Sequence, residues 1–493
     1  MSVRPVFLTV PEWTDLLGTT PPMNWVSSLQ GVQPDSRRVR PGDIFVAIEG
    51  FEGDGHRFIN DAIRKGASAI VAAHPLQVKV KVPVVIVPDA RASLARLARA
   101  LFQFPDESLR LTGVTGTNGK TSVVGFVYQL LQQNGLSCGQ LGTVSYRFGA
   151  REIPARRTTP GAPDLHEYLR SMVEAGCRDC VMEVSSHALD QKRVAYLDFD
   201  TAVFTNLSQD HLDYHLNMES YFQAKASLFK VPSLKVRIAG DDKWSRRLSE
   251  ECGKDVLLCG LDKDCDVRAE ILDSSLDGLT AEVESPWGSG VLQMRSPGEH
   301  NLRNMLQALA VTAGFGIPLS DLLTSARHVR SAPGRLEPVA SPQGKILVDY
   351  AHTPDALAHI LQLLKPLVRG KIIVVFGCGG DRDRSKRILM VQASRLADEM
   401  ILTQDNPRSE DPAQIFEDMK KGLTASDSYQ VVEDRRRAIE CGVSMLESED
   451  VLVIAGKGHE TVQWVGALQL PFDDRVVAAE MVAKRELSRT ESW

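Results

Sequence analysis

Long apolar runs are missing from this 493-residue sequence, and none reaches the ~18 residues that a membrane-spanning helix requires. A basic excess is missing too. Lys and Arg total 57 against 63 for Asp and Glu, a formal net charge of −6. A dedicated nucleic-acid binder usually shows the opposite balance. Cysteine is sparse: 8 residues scattered along the chain make no disulfide framework, so the reducing cytosol is the expected compartment. The opening stretch MSVRPVFLTVPEWTDLL has no basic n-region, apolar h-region or small-residue cleavage site, and no secretory leader is expected. Internal repeats and low-complexity segments are absent. What is present is an ordinary globular composition, 43% hydrophobic and 24% charged. At ~150 residues per domain the length implies about three domains, each able to bury a core without metal or disulfide staples. These exclusions leave a cytosolic multidomain enzyme as the leading class.

Strand-like runs alternate with helical patterns, which predicts α/β architecture with largely parallel sheets. In the first part, strands are expected at residues 44–48, 67–73 and 82–87, and a helix at 90–104. Pro105-Asp106 marks a boundary, since the residue before a proline resists helix. A second segment opens with a strand at 109–114, a glycine-rich turn, and a helix with Val123, Val124, Val127, Leu130 and Leu131 inward. Buried strands follow at 180–184, 201–205 and 236–239, and a helix at 301–313. Ser331-Ala332-Pro333-Gly334 is the second boundary. The third segment has short apolar strands at 346–348, 372–376, 400–402 and 451–454, each followed by a polar loop where ligands of open parallel sheets bind. The charged tail, 484–493, is expected to fray.

The strongest local signal is Thr115-Gly116-Thr117-Asn118-Gly119-Lys120-Thr121-Ser122, between a strand and a helix. Glycines let consecutive N–H groups face a phosphate chain, and the helix N-terminus adds partial positive charge. Lys120 can reach the β- and γ-phosphates, and Thr121 can offer a hydroxyl to Mg²⁺. The usual G-x-x-x-x-G-K-[ST] pattern would place its first glycine at Val114, whereas here glycines stand at 113 and 116. The bland alternative is a plain glycine-rich strand-to-helix turn.

TGTNGKTS resembles the ATP loop of the Mur ligases and the related folylpolyglutamate synthetases. EVSSHAL (183–189), NLSQDHLDYH (206–215), YFQAKASLF (221–229), GEHNLRN (298–304), APGRLE (332–337), DYAHTPDAL (349–357), FGCGGDRDRSKR (376–387), DNPRSEDP (405–412) and GKGHE (456–460) are similar to Mur ligase motifs, in order. The resemblance implies three domains: residues 1–105 for a UDP-linked substrate, 106–333 for ATP, and 334–493 for an amino acid. A P-loop ATPase-like parallel sheet would stand between an N-terminal α/β domain and a C-terminal Rossmann-like domain. It further implies a cytoplasmic ATP-dependent amide ligase of peptidoglycan precursor synthesis, adding meso-diaminopimelate to the D-Glu γ-carboxylate of UDP-N-acetylmuramoyl-L-Ala-D-Glu. Its partners would be those small molecules, with neither nucleic acid nor membrane. Alternatives are the same ligase using L-lysine, a folylpolyglutamate-synthetase-like ligase, and a nucleotide-regulated scaffold.

Joining an amine to a carboxylate first needs an acyl phosphate, and the repulsion between the two anions must be offset by Mg²⁺ and cationic side chains. The resemblance puts Gly116, Thr117, Asn118, Gly119, Lys120, Thr121 and Ser122 on the phosphates, and Asn304, Arg335, Asp349 and His352 on adenine, ribose or phosphates. Thr121 and Glu183 would hold one metal, and His211 a second. Lys225 would react with CO₂ to give a metal-facing carbamate, which needs an amine of depressed pKa. Taken singly, Glu183 reads as a solvated strand-end carboxylate, His211 as a cap or core histidine, and Lys225 as a solvated helix lysine. His215, four residues from His211, is read as structural. Ser36 and the Phe51-Glu52-Gly53 loop would surround the uridine nucleotide. Thr158, Thr159, Ser185, Gln191 and Arg193 would contact the rest of that substrate, with Arg157 standing where similar enzymes often have Asn. For the amino acid, Asp405, Asn406, Pro407 and Arg408 would frame the distal carboxylate, Gly456 and Glu460 the distal amine, and Arg382 or Arg387 a second carboxylate. The alternative for Arg408 is an exposed loop arginine paired with Glu410 or Asp411. Cys177-x-x-Cys180 lacks a second pair for zinc, and both thiols are expected to pack as small hydrophobes.

Overall fold

After the antiparallel pair Val6–Phe7 and Ser28–Leu29, short parallel strands stand in the order Val32–Gln33, Ile44–Ala47, Ala69–Ala72, Val84–Ile86. Ile44–Ala47 and Ala69–Ala72 are buried at every position, as continuous apolar strands covered on both faces must be. Helix Ala90–Leu101 covers them. The Asp89 side chain caps its start by accepting from Ala92 N at 2.9 Å, and Leu94, Leu97, Ala98 and Leu101 turn inward. The computed structural model describes residues 4–50, 53–76, 79–253 and 255–490. Within it the first compact unit comprises Met1–Glu270, Glu282–Leu292 and Arg303–Ala326, and the second comprises Ile271–Ala281, Gln293–Leu302 and Arg327–Trp493.

The larger sheet of the first unit runs Arg151–Pro154, Ser145–Phe148, Cys138–Leu141, Asp179–Glu183, Arg110–Thr115, Phe199–Phe204, Val236–Ala239, Val256–Gly260. Arg110–Thr115 lies between Asp179–Glu183 and Phe199–Phe204, parallel to both. The register sets Val114 beside Glu183 and Thr115 beside Phe204. The glycine-rich loop, Glu183 and Thr205-Asn206 therefore leave the sheet on one edge.

In the second unit the order is Glu337–Val339, Lys345–Asp349, Val451–Ala455, Ile372–Cys378, Glu399–Gln404, Tyr429–Val431, all parallel except the first pair. Asp349 pairs with Ala455, and Cys378 with Gln404, so four polar loops gather at the carboxyl ends. Under them Arg435 and Asp474 form an ion pair at 2.7 Å with both side chains at 0% exposure. Arg435 also donates to the carbonyls of Gln404 and Ala455, the ends of two strands.

Strand positions follow the expectation closely, and Val236–Ala239 coincides with it. Antiparallel strands were not anticipated, among them Ser145–Phe148, Arg151–Pro154, and the hairpin Val462–Val465 with Leu468–Pro471. The charged tail does not fray where described. It continues the helix Asp474–Thr490, held by Lys484 on Glu440 and by Arg485 on the carbonyls of Val443 and Leu446. The cysteines are free among the described residues, and Cys177 and Cys180 pack in the core as expected.

Candidate functional site

Two glycines shape the loop after Arg110–Thr115. Gly116 (φ +140°) and Gly119 (φ +84°) take conformations that side chains rarely adopt. A Cβ on Gly116 would strike the Thr205 hydroxyl, and one on Gly119 would strike Oδ1 of Asn304. Thr117 N donates to Asn206 O at 2.9 Å, Asn118 N to Asn206 Oδ1 at 3.0 Å, and Thr205 Oγ1 to Asn118 O at 2.5 Å. Helix Lys120–Gln133 starts at Gly119, leaving Thr121 and Ser122 half-buried in its first turn. Lys120 folds back over the loop, with Nζ 2.9 Å from Gly116 O and 2.8 Å from Thr117 O.

Glu183 is buried at its strand end rather than solvated, and both carboxylate oxygens are engaged by Thr143. The amide donates to Oε1 at 2.8 Å and the hydroxyl to Oε2 at 3.0 Å. Thr143 Oγ1 also reaches Thr158 Oγ1, and Thr159 Oγ1 donates to Glu183 O at 2.8 Å. Ser185 N donates to Thr159 Oγ1, and its own hydroxyl caps helix Ser186–Asp190. Arg193 closes the group by donating to Thr159 O and to Gln191 Oε1. Burial, and then the neighbouring charge of Arg157, lower its pKa to about 10. Thr158, Thr159, Glu183, Ser185, Gln191 and Arg193 thus come together. Ser36 is separate, buried at the head of the 3₁₀ turn Ser36–Arg38 in the N-terminal sheet region. Phe51 and Glu52 lie outside the described residues.

Lys225 is 1% exposed, with Nζ 2.8 Å from Gly116 O and 4.7 Å from the Tyr221 ring centroid. Burial, and secondly the charge of Lys120, push its amine well below the ordinary lysine range. Beside it is a ring cluster. His187 stands 4.9 Å from His211, 4.2 Å from Tyr214 and 5.7 Å from His215, and His215 stands 5.2 Å from Tyr221. Burial lowers the pKa of all three histidines. Among the described residues, the His, Cys, Asp and Glu side chains near His211 and His215 form no closed metal cage. A cation here would need waters or substrate oxygens as further ligands.

In the second unit Asp349 is buried and accepts from Leu336 N and Ala351 N, while Arg335 lies 5.2 Å from the Tyr350 ring centroid. Tyr350 packs between His352 and His459, at 4.6 and 5.0 Å. Asn304, by contrast, belongs to the first unit at the phosphate loop.

The Asp405–Arg408 loop is bound to the hairpin: Arg408 N donates to Trp464 O, Trp464 N to Asn406 Oδ1, and Gln463 Nε2 to Asp405 O. Arg408 (φ +53°) donates from Nη1 to Gly380 O at 2.7 Å. It has no carboxylate within ion-pair distance among the described residues. Glu410 pairs instead with Arg384 and Arg387, and Asp411 caps a helix. Gly456 (φ +115°) faces Asp405, whose carboxyl burial pushes up. Arg387 corrects one expectation. It is 1% exposed, Glu410 and Asp418 take both of its Nη groups, and the remaining Nε–H is enclosed, so no donor faces a substrate. Arg382 is exposed on the loop after Ile372–Cys378.

Residue-by-residue reading missed Thr143, Thr205, Asn206, His187, Tyr214, Tyr221 and Lys457. All but Thr143 fall inside or beside quoted motifs, whereas Thr143 carries no sequence signal at all.

Profiles of the Mur ligase family match three stretches of the chain. "Mur ligase family, catalytic domain" covers residues 28–101, "Mur ligase middle domain" 114–312, and "Mur ligase, glutamate ligase domain" 334–458. The chain is 42% identical over 461 residues to the UDP-N-acetylmuramoyl-L-alanyl-D-glutamate--2,6-diaminopimelate ligase of Caldanaerobacter subterraneus subsp. tengcongensis, covering 93% of this chain and 95% of that one. It is 39% identical over 495 residues to the ligase of that name from Listeria innocua, covering 98% and 99%. A solved structure of a ligase of that name superposes with a TM-score of 0.72 at 32% identity, covering 98% of this chain and 100% of that one.

Proposed function

The chain belongs to the Mur ligase family, and on that premise we propose that it is the ATP-dependent ligase joining meso-diaminopimelate to UDP-N-acetylmuramoyl-L-Ala-D-Glu. The bond forms between an amino group and the D-Glu γ-carboxylate by way of an acyl phosphate, in the cytoplasm, during peptidoglycan precursor synthesis. One observation carries the reading. A glycine-shaped anion cradle, two lysine amines on one carbonyl and a buried carboxylate leave the same sheet edge.

The carboxylate is a poor electrophile, so the cradle must hold the γ-phosphate beside it. The first-turn amides of helix Lys120–Gln133 and the Lys120 side chain receive the phosphates, while Thr117 N and Asn118 N hold the loop to Asn206. Thr158, Thr159, Ser185, Gln191 and Arg193 orient the UDP-linked acceptor, with Ser36 on its nucleotide. Asn304, Arg335, Asp349 and His352 bind the nucleotide of ATP. Mg²⁺ would suit Thr121 and Glu183, an oxygen-only donor pair at the ends of neighbouring strand–loop units, where the buried hydroxyl of Thr115 has no partner. The bound cation supplies charge neutralisation between phosphate and carboxylate. Lys225, its amine pushed below the ordinary lysine range by burial, adds as the free base to CO₂ and releases a proton; His211 stands near the resulting anion. In the second unit Arg408 offers a planar fork to the distal carboxylate and Glu460 accepts the distal ammonium. Asp405, Asn406, Pro407 and Gly456 frame that end, and Arg382 takes a second carboxylate. We also assign the domain borders to 105/106 and 333/334.

The test is phosphate release from ATP and UDP-N-acetylmuramoyl dipeptide over a panel of single amino acids. Release that depends on both the dipeptide and diaminopimelate is expected. Release that ignores acceptor and amino acid alike overturns the ligase.

A further inference from the structure

Lys457 follows strand Val451–Ala455 between two left-handed glycines, Gly456 and Gly458, and its side chain is fully buried. A buried ammonium is costly unless its donors are all met. Here Nζ donates to Asn406 Oδ1 at 3.1 Å, Glu460 Oε2 at 3.1 Å and Val462 O at 2.7 Å. Those acceptors belong to three different segments: the Asp405–Arg408 loop, the end of GKGHE, and the first residue of the hairpin. Asn406 Nδ2 closes the ring by donating to the same Glu460 Oε2 at 2.9 Å. Glu460 is thereby held from inside through one oxygen, while no described side chain engages Oε1.

We propose that Lys457 is the positioning residue that makes this pocket select an amino acid with a zwitterionic far end, an ammonium and a carboxylate on one carbon. The inference rests on the diaminopimelate reading above and adds to it a residue that does not itself touch substrate. Such an end group needs an acceptor and a cation at fixed separation. Glu460 Oε1 is the acceptor and Arg408 the cation. Lys457 is the common anchor, holding Glu460 directly and the Arg408 loop through Asn406. The hairpin adds rigidity, since Arg408 N donates to Trp464 O and Gly466 N donates back to Arg408 O at 2.7 Å. A ligand with an ammonium alone uses Glu460 but gains nothing from the spacing.

The experiment compares the intact wild type with Lys457→Met, Glu460→Gln and the double variant, measuring KM for each of the three substrates. Lys457→Met is expected to raise KM for diaminopimelate about tenfold or more, with kcat and the other two KM values close to wild type. The double variant should raise that KM over Glu460→Gln by a smaller factor than Lys457→Met raises it over wild type, because the lysine acts partly through that carboxylate and partly through Asn406. If Lys457→Met fails to fold, Lys457→Gln keeps a donating head and enters the same comparison. A uniform rise in all three KM values, or an unchanged diaminopimelate KM in a wild type background that uses it, overturns the inference alone. A wild type that ignores diaminopimelate overturns the proposed function.

Discussion

The amines of Lys120 and Lys225 meet at one acceptor: the Gly116 carbonyl oxygen takes a hydrogen bond from each, at 2.9 and 2.8 Å. Two ammonium groups so close would repel each other, and only one can stay charged cheaply. Lys225 is the more buried, and both its burial and the charge of Lys120 favour its neutral form. Under the proposed function the pair would divide its work, Lys120 as the cation for phosphate and Lys225 as the amine for CO₂.

Lys225→Ala should lose most activity, and short carboxylic acids should partly restore it by supplying the missing anion. Because the folded-state pKa lies below that of an exposed lysine, the free base is present at lower pH than usual. Stimulation by bicarbonate should therefore persist above that lowered pKa and fade as pH falls through it. Full activity of Lys225→Ala, or of wild type in rigorously CO₂-free buffer, would falsify the carbamate.

Lys120→Ala should leave the fold intact and slow turnover at least a hundredfold, ~3 kcal/mol of lost charge stabilisation. Steady-state phosphate release beside a thermal melt checks both halves. Near-normal turnover would mean the phosphate loop is misassigned.

Arg408→Ala should raise KM for diaminopimelate by about tenfold or more and leave the slow reaction with lysine unchanged. The ratio of the two kcat/KM values is the readout. If the wild type takes lysine as readily as diaminopimelate, the distal-carboxylate assignment fails.

Arg382 and Arg387, read alike in sequence, should part company. Arg382→Gln is expected to weaken diaminopimelate with no change in melting temperature. Arg387→Gln should cost about 2–3 kcal/mol of stability, because Glu410 and Asp418 keep only Arg384 and Lys421 as ion-pair partners. Hydrogen bonds from Arg387 hold the Glu410 carboxyl down to about 2, below the ordinary glutamate value. That stabilisation is complete above the ordinary value and is lost as pH falls toward 2. Acid denaturation should be less steep in the Arg387 variant; identical curves would contradict the pairing.

Sequence legibility followed physical range. Val236–Ala239 was readable because an apolar run ends where polar residues begin. Ser145–Phe148 and Arg151–Pro154 were not, since Arg147, Arg151 and Glu152 mask the alternation and the pairing is set by neighbours. The phosphate loop is contiguous, so glycine and lysine spacing alone exposes it. Glu183 and Thr143 meet only through the register of separate strands, and nothing local to Thr143 marks it. Lys225 sits between two alanines on a helix, and which face meets the loop is decided by packing alone. Arg387 failed for the opposite reason: its partners, Glu410 and Asp418, lie in later segments.

The buried pair Arg435 and Asp474 ties the C-terminal helix to the loops proposed to hold the amino acid. Asp474 is the first residue of that helix, and Arg435 braces the carbonyls at the ends of the two strands that lead into Asp405–Arg408 and GKGHE. Trimming the chain back past Asp474 would strand a fully enclosed guanidinium, at about 3–5 kcal/mol. The loss would be felt at loops far earlier in the sequence. A fusion placed beyond the helix respects that brace, and only a truncation that removes Asp474 breaks it.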